Sequence, residues 1–204
     1  MKILGLDMST KTGYAILNDG SIDAVGLLTR SSKSINEKAQ VFIEDFSFLS
    51  DANDIATQVV DLIKLNAVDY IYIEQTNKGR NRTSQKQLEF IHCRTLELIK
   101  GLGLAKIVRY VDTSAWRRAL KVKLTKDDSA HNKLVKKKKA RGKITTKHLA
   151  VRWANSTYNL NLLLKDNDIA DAIAVATYGL EHESNPKPEI TEKDIEKIFQ
   201  RLEK

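Results

Sequence analysis

Short apolar runs and alternating positions fill the start of the chain. Ile3, Leu4 and Leu6 form one run, Ser9 to Gly13 reads as a turn, and Tyr14-Ala15-Ile16-Leu17 returns, so Lys2 to Leu17 predicts an antiparallel hairpin. Ser21 to Thr29 then predicts a third strand that completes a meander. From Ser34 through Leu65 the spacing changes to three and four residues. Ile35, Val41, Phe42, Phe46, Phe48 and Leu49 open it, Ser50 to Asp54 interrupt it, and Ile55, Val59, Leu62 and Ile63 continue it, the stripe of a helix facing a sheet. Asp69 to Glu74 is a β-branched and aromatic run suited to a central strand. The polar stretch Gln75 to Lys86 predicts a ligand-facing loop. A long helix follows over Ser84 to Lys100, with Gly101 as its stop signal. Ala105 to Val111 is a fifth strand, and Thr113 to Leu120 a short helix capped by Thr113 or Ser114.

The second half is organised by helical signals. Thr125 to Lys143 is basic and poor in apolar residues, which predicts an arm or helical excursion outside the main core. Thr145 or Thr146 caps a helix through Leu149, Val151, Trp153 and Ala154, and Asn155 to Asn161 is a loop. Asn167 to Leu180 is a helix rich in small residues, and SNPKP at 184–188 marks a boundary. Residues 1–183 are thus expected to form one α/β domain carrying a basic insert at about 125–143. Residues 184–204 form a charged, helical tail with Ile195, Ile198, Phe199 and Leu202 on one face.

Charge changes this picture most. The net charge is +8, and between Ser129 and Ala150 the chain carries Lys133, Lys136, Lys137, Lys138, Lys139, Arg141, Lys143 and Lys147 with no acidic residue. A solvated face mixes signs, so this block points to a polyanion. No bulky amphipathic stripe accompanies it, which favours nucleic acid over a membrane surface. No apolar run approaches the length of about 18 residues that a membrane span needs, and the chain opens without a signal-peptide pattern. An intracellular, cytoplasmic protein with no membrane partner is expected. The single cysteine, Cys93, allows neither an internal disulfide nor a cysteine-based zinc site. It is expected on the buried face of its helix.

Four carboxylates carry the candidate chemistry. Asp7 ends an apolar strand, where an uncompensated charge costs several kcal/mol to bury. Glu74 ends the central strand. Asp168 and Asp171 are three apart, on one face of a small apolar helix near its positive dipole end. Taken alone, each is equally consistent with capping a turn or a helix. Together, four acids on rigid apolar elements suit a hard-oxygen site for magnesium or manganese. Two such ions about 4 Å apart would activate water and stabilise the leaving oxygen of a phosphodiester. Flanking lysines and arginines would then hold the anionic substrate.

At this point a resemblance becomes specific. Gly5-Leu6-Asp7 with Ser9, Thr10 and Gly13, Ile71-Tyr72-Ile73-Glu74-Gln75, and Asp168-Ile169-Ala170-Asp171-Ala172 stand in the order of elements that resembles the RuvC family of Holliday junction resolvases, within the ribonuclease H-like superfamily. The similarity covers most of Met1 to Leu180. It implies a mixed five-stranded sheet of order 3-2-1-4-5 flanked by helices. It also implies a homodimer with two active sites about a four-way DNA junction, each nicking one of two opposing strands with magnesium or manganese. Carried over, Asp7, Glu74, Asp168 and Asp171 would be the catalytic residues and metal ligands.

The departures are informative too. The loop after Glu74 lacks the aromatic residue that bacterial members use as a wedge at the crossover. The lysine-rich insert and charged tail look like features of a viral or organellar branch. Lys78, Arg80, Arg82, Arg117, Arg118, Lys136, Lys137, Lys138, Lys139, Arg141 and Lys147 are the candidate DNA contacts. Lys147 and His148 are candidates for a residue assisting catalysis, and the helix Ser84 to Lys100 is the candidate dimer surface. Two other nucleic-acid readings use the same residues: a related nuclease acting on flaps, forks or RNA/DNA hybrids, and a non-enzymatic basic DNA-binding protein whose acids are only caps. The phosphate-loop likeness of Gly5 to Gly13 to sugar kinases and actin-like ATPases fails on length, since those folds need two such domains.

Overall fold

The structure is a computed structural model that describes residues 1–30, 41–75 and 82–185. Its centre is a five-stranded sheet of β1 (Lys2–Asp7), β2 (Lys11–Asn18), β3 (Ser21–Thr29), β4 (Tyr70–Glu74) and β5 (Val108–Val111). The order is β3-β2-β1-β4-β5, as the family resemblance implies. β1–β2 and β2–β3 pair antiparallel, while β1–β4 and β4–β5 pair parallel. The turn of the first hairpin is tighter than expected, because Lys11 to Gly13 already belong to β2 and Gly13 pairs with Asp7.

Period-two alternation divides the apolar residues between two faces. On one face Leu4, Leu6, Ile16, Ile71 and Ile73 pack against α1 (Val41–Asn66) and α2 (Arg82–Gly101) through Ile55, Val59, Ile63, Ile91 and Ile99. On the other, Ile3, Leu17 and Tyr72 meet α3 (Thr113–Ala119), α5 (Thr146–Tyr158) and α6 (Asn167–Ser184). Between α3 and α5 lies α4 (Lys126–Lys136).

Several boundaries differ from the pattern-based expectation for identifiable reasons. α1 runs unbroken through 50–54, because the buried Asp51 is bonded by Arg30 (2.8 Å) and Gln87 (2.7 Å). The cap of α3 is Asp112, whose carboxylate accepts from Ser114 N at 2.6 Å. Residues 105–107 form a 3-10 turn before β5. α5 extends through the expected loop to Tyr158, where Asn159 takes the left-handed conformation (φ 53°) that ends it. Cys93 is exposed, not buried; the helix phase buries His92 instead. The basic insert is ordered from Thr125 on. Lys78, Arg80 and the tail at 186–204 lie outside the described residues.

α6 approaches the sheet unusually closely, and the sequence provides for it. A side chain on Gly5 would overlap the Ala172 carbonyl and come within 2.5 Å of Ala176 N. One on Gly13 would collide with the Asp168 backbone carbonyl, and one on Gly179 would lie 2.6 Å from the Tyr72 ring. Small residues on both elements therefore let backbone meet backbone, and α6 begins directly against the strand ends.

Candidate metal centre and basic flank

The parallel register pairs Leu6 with Ile73, so Asp7 and Glu74, each one residue further on, emerge side by side at the C-terminal ends of the two neighbouring inner strands. The close approach of α6 delivers Asp171 to the same point. One oxygen from each of Asp7, Glu74 and Asp171 lies within 4.8 Å of the others. Asp168 is not in that inner group. Its carboxylate accepts a short hydrogen bond from Asn167 Nδ2, yet it stands near enough for its charge to act on both Asp7 and Asp171.

The electrostatics follow from packing like charges into low dielectric. Burial, then the charges of Glu74, Asp171 and Asp168, push Asp7 well above the usual carboxylate range, with Lys147 opposing. Asp171 is pushed up to about 7 by burial and by Glu74, with Arg117 and Lys147 acting the other way. Burial also raises Glu74, held back chiefly by the hydrogen bond that Thr113 Oγ1 donates to its Oε1, and then by Arg117. The Trp116 indole N–H lies close enough to lower Glu74 without full hydrogen-bond geometry.

Among the described residues, the buried side-chain polar atoms with no hydrogen-bond partner are Glu74 Oε2, Asp171 Oδ1, Trp116 Nε1, Arg117 Nε and His92 Nε2. The first four belong to residues of this site. Two orphaned carboxylate oxygens in a ring of three mutually repelling acids are what a hard divalent cation satisfies, so the donor set fits such an ion. Arg117 stacks on Trp116, its guanidinium carbon 4.9 Å from the ring centre. It lines an open cleft of about 700 Å³ with Asp112, Thr113, Ser114, Arg118, Lys121, Val122 and Lys123. Lys147, in the first turn of α5, reaches Asn167 Oδ1 at 3.4 Å. The neighbouring His148 is occupied with its own helix start, its Nδ1 accepting from Thr145 N (3.2 Å).

Comparison of the whole fold decides its type. The chain superposes on Thermus thermophilus RuvC, solved in complex with a Holliday junction substrate, with a TM-score of 0.62 at 11% identity, covering 91% of this chain and 97% of that one. The fold is that of RuvC. A second structure of Thermus thermophilus RuvC gives a TM-score of 0.59 at 12% identity over 90% and 96% of the chains. The yeast mitochondrial Holliday junction resolvase Ydc2 gives 0.47 at 15% identity over 86% and 75%. No family model matches the sequence. No curated protein matches it either.

Within this RuvC frame, of the four acids that sequence reading groups as metal ligands, the structure brings Asp7, Glu74 and Asp171 together and leaves Asp168 beside them, with Arg117 and Lys147, expected as DNA contacts, close enough to act on the carboxylates. Arg118 and Arg82 are exposed. Thr113 is the site residue that sequence reading mistakes for a helix cap. Its one distinguishing signal is its place two residues after the end of β5, the strand that pairs with β4 at Glu74 and Val111.

Proposed function

We propose that this chain is a metal-dependent, structure-selective DNA endonuclease that resolves four-way junctions by paired, symmetric nicks. The observation that carries the reading is the meeting of Asp7, Glu74 and Asp171 within 4.8 Å at the C-terminal ends of β1 and β4, with unpaired buried oxygens and cationic side chains nearby. Acids that served only as caps would have no reason to converge from three separate elements at such electrostatic cost.

Divalent ions bound there, magnesium or manganese, supply an activated water and charge stabilisation at the leaving oxygen. The chain's own contributions are distinct. Asp7, Glu74 and Asp171 provide the oxygen ligands, with Asp168 adding negative charge at the rim. Thr113 fixes the Glu74 carboxylate through Oε1 and leaves Oε2 free of any protein hydrogen bond. Arg117, braced on Trp116, and Lys147, held at Asn167, hold the scissile phosphate and offset the excess negative charge. Duplex arms lie along the basic surface. A junction carries two equivalent strands, so paired nicks require two copies of the site, and the proposal includes a homodimer with α2 as its contact surface.

Purified protein with Mg²⁺ should introduce paired nicks in a synthetic four-way junction and leave linear duplex largely intact. Asp7→Asn or Glu74→Gln should abolish cleavage while preserving junction binding, because the cationic surface remains. Equal cleavage of forks, flaps or RNA/DNA hybrids would transfer the same site to another substrate. Normal cleavage by both variants would end the metal assignment.

A further inference from the structure

The lysine-rich insert, expected as an arm or helical excursion, contains the helix α4 and is fastened to the domain at both ends. α4 opens with a capping box in which Thr125 Oγ1 accepts from Asp128 N and Asp128 Oδ2 accepts from Thr125 N, both at 3.0 Å. The buried Asp128 carboxylate is also gripped by both terminal nitrogens of Arg152, at 3.0 and 3.1 Å, which ties the start of α4 to α5. That guanidinium holds the Asp128 carboxyl down at about 2. At the far end, Asn132 bonds both backbone groups of Ile144, donating to its carbonyl at 2.9 Å and accepting from its N–H at 2.8 Å. His131 Nε2 donates to the Gly142 carbonyl at 2.9 Å.

Between these fastenings the chain turns sharply. Lys138 N bonds the Val135 carbonyl and Lys139 N the Leu134 carbonyl, with Lys138 itself left-handed at φ 58°. A lysine there costs about 1–2 kcal/mol that glycine would not. Lys136 to Lys139, Arg141 and Lys143 are all exposed. Among the described residues none of them is paired with a carboxylate. Like charges repel and would splay a free loop, so holding this many unpaired cations in one fixed turn suits a polyanion with a fixed backbone.

The fastening also connects to the active site. Ile144, pinned by Asn132, immediately precedes Thr145, which starts α5; Lys147 follows in its first turn and bonds Asn167, next to Asp168. We propose that the α4 lobe is a preformed clamp for the phosphate backbone of a second duplex arm of the junction. Asn132 is the positioning residue that keeps the clamp in register with the carboxylates. This rests on the junction-nuclease reading above. A fixed clamp distinguishes two arms at a set angle from a single duplex, whereas loose lysines would grip either equally.

Binding is measured in an Asp7→Asn background by fluorescence anisotropy, with a four-way junction and with a linear duplex, over a salt series. Asn132→Ala should lower junction affinity about tenfold, leave duplex affinity within twofold and leave the duplex salt slope unchanged, because every charge remains. Hydrogen exchange at the Ile144 amide should quicken. Replacing Lys136 to Lys139 with Gln should weaken both substrates and reduce the salt slope by about 3 to 4. Lys138→Gly should cost about one unit of slope and keep the junction preference, since glycine accepts the turn. A junction-to-duplex ratio unchanged by Asn132→Ala, or an Ile144 amide equally protected, overturns the clamp alone. Absence of junction preference in the parent protein overturns both the clamp and the reading beneath it.

Discussion

Gly13 and the Asp168 carbonyl are in direct backbone contact, with no room between them for a methyl group. Gly13 is also the register partner of Asp7 across β1 and β2. One glycine thus sets how near α6 comes to the first carboxylate. Gly13→Ala must push the start of α6 outward, at a cost of about 1–3 kcal/mol for an overpacked core. The displacement should lower cleavage at least about 100-fold, since a 1 Å misplacement suffices for that. Gly101, with nothing within 4 Å of where a side chain would go, is the control. Gly101→Ala should leave activity unchanged and the melting temperature equal or higher.

The acidic site should make the metal-free protein less stable as pH rises. Asp171, raised to about 7 when folded, binds a proton more tightly in the native state than in the unfolded chain. Its stabilising contribution is full below the usual carboxylate range and is lost as pH climbs toward 7. Asp171→Asn should therefore stabilise the metal-free protein at pH 8 by on the order of 2 kcal/mol, seen in denaturant unfolding. Divalent ions should raise the melting temperature of the parent protein more at pH 8 than at pH 5, and barely change that of the variant.

Thr113 acts through Glu74. Thr113→Val keeps the shape and removes the hydroxyl that donates to the carboxylate, so Glu74 should become harder to ionise and less well oriented. Loss of such a supporting bond typically costs about 10–100-fold in metal affinity. Calorimetric titration with Mn²⁺ should show it, and the acid limb of the rate profile should move to higher pH. Thr113→Ser should restore both.

His92 gives the opposite pH signature, away from the site. Burial lowers it to about 4, with Nδ1 2.9 Å from the Tyr110 hydroxyl and the two rings stacked at 5.7 Å. The unfolded chain takes up the proton first. His92 therefore costs stability as pH falls from about 6.5 to 4, up to about 3 kcal/mol. His92→Phe should flatten the fall in melting temperature over that window relative to the parent protein.

Chain order and residue pattern were enough to specify much of this molecule. Alternation defined β3 to the residue, the strand-ending acids Asp7 and Glu74 were visible as charges in apolar runs, and the spacing of Asp168 and Asp171 put them on one helical face. These are local properties, set by backbone periodicity and by the cost of burying charge. The tertiary structure decided what depends on distance across the fold. It separated Asp171, which joins the inner carboxylates, from Asp168, which Asn167 holds at the rim. It turned Thr113 from a supposed cap into a partner of Glu74, and left Cys93 exposed with His92 inside, a difference of about 100° in helix phase that residue type does not encode. It also converted a run of lysines into a fastened lobe, because the bonds that fasten it, Asn132 to Ile144 and Arg152 to Asp128, join residues whose pairing exists only once the chain has folded.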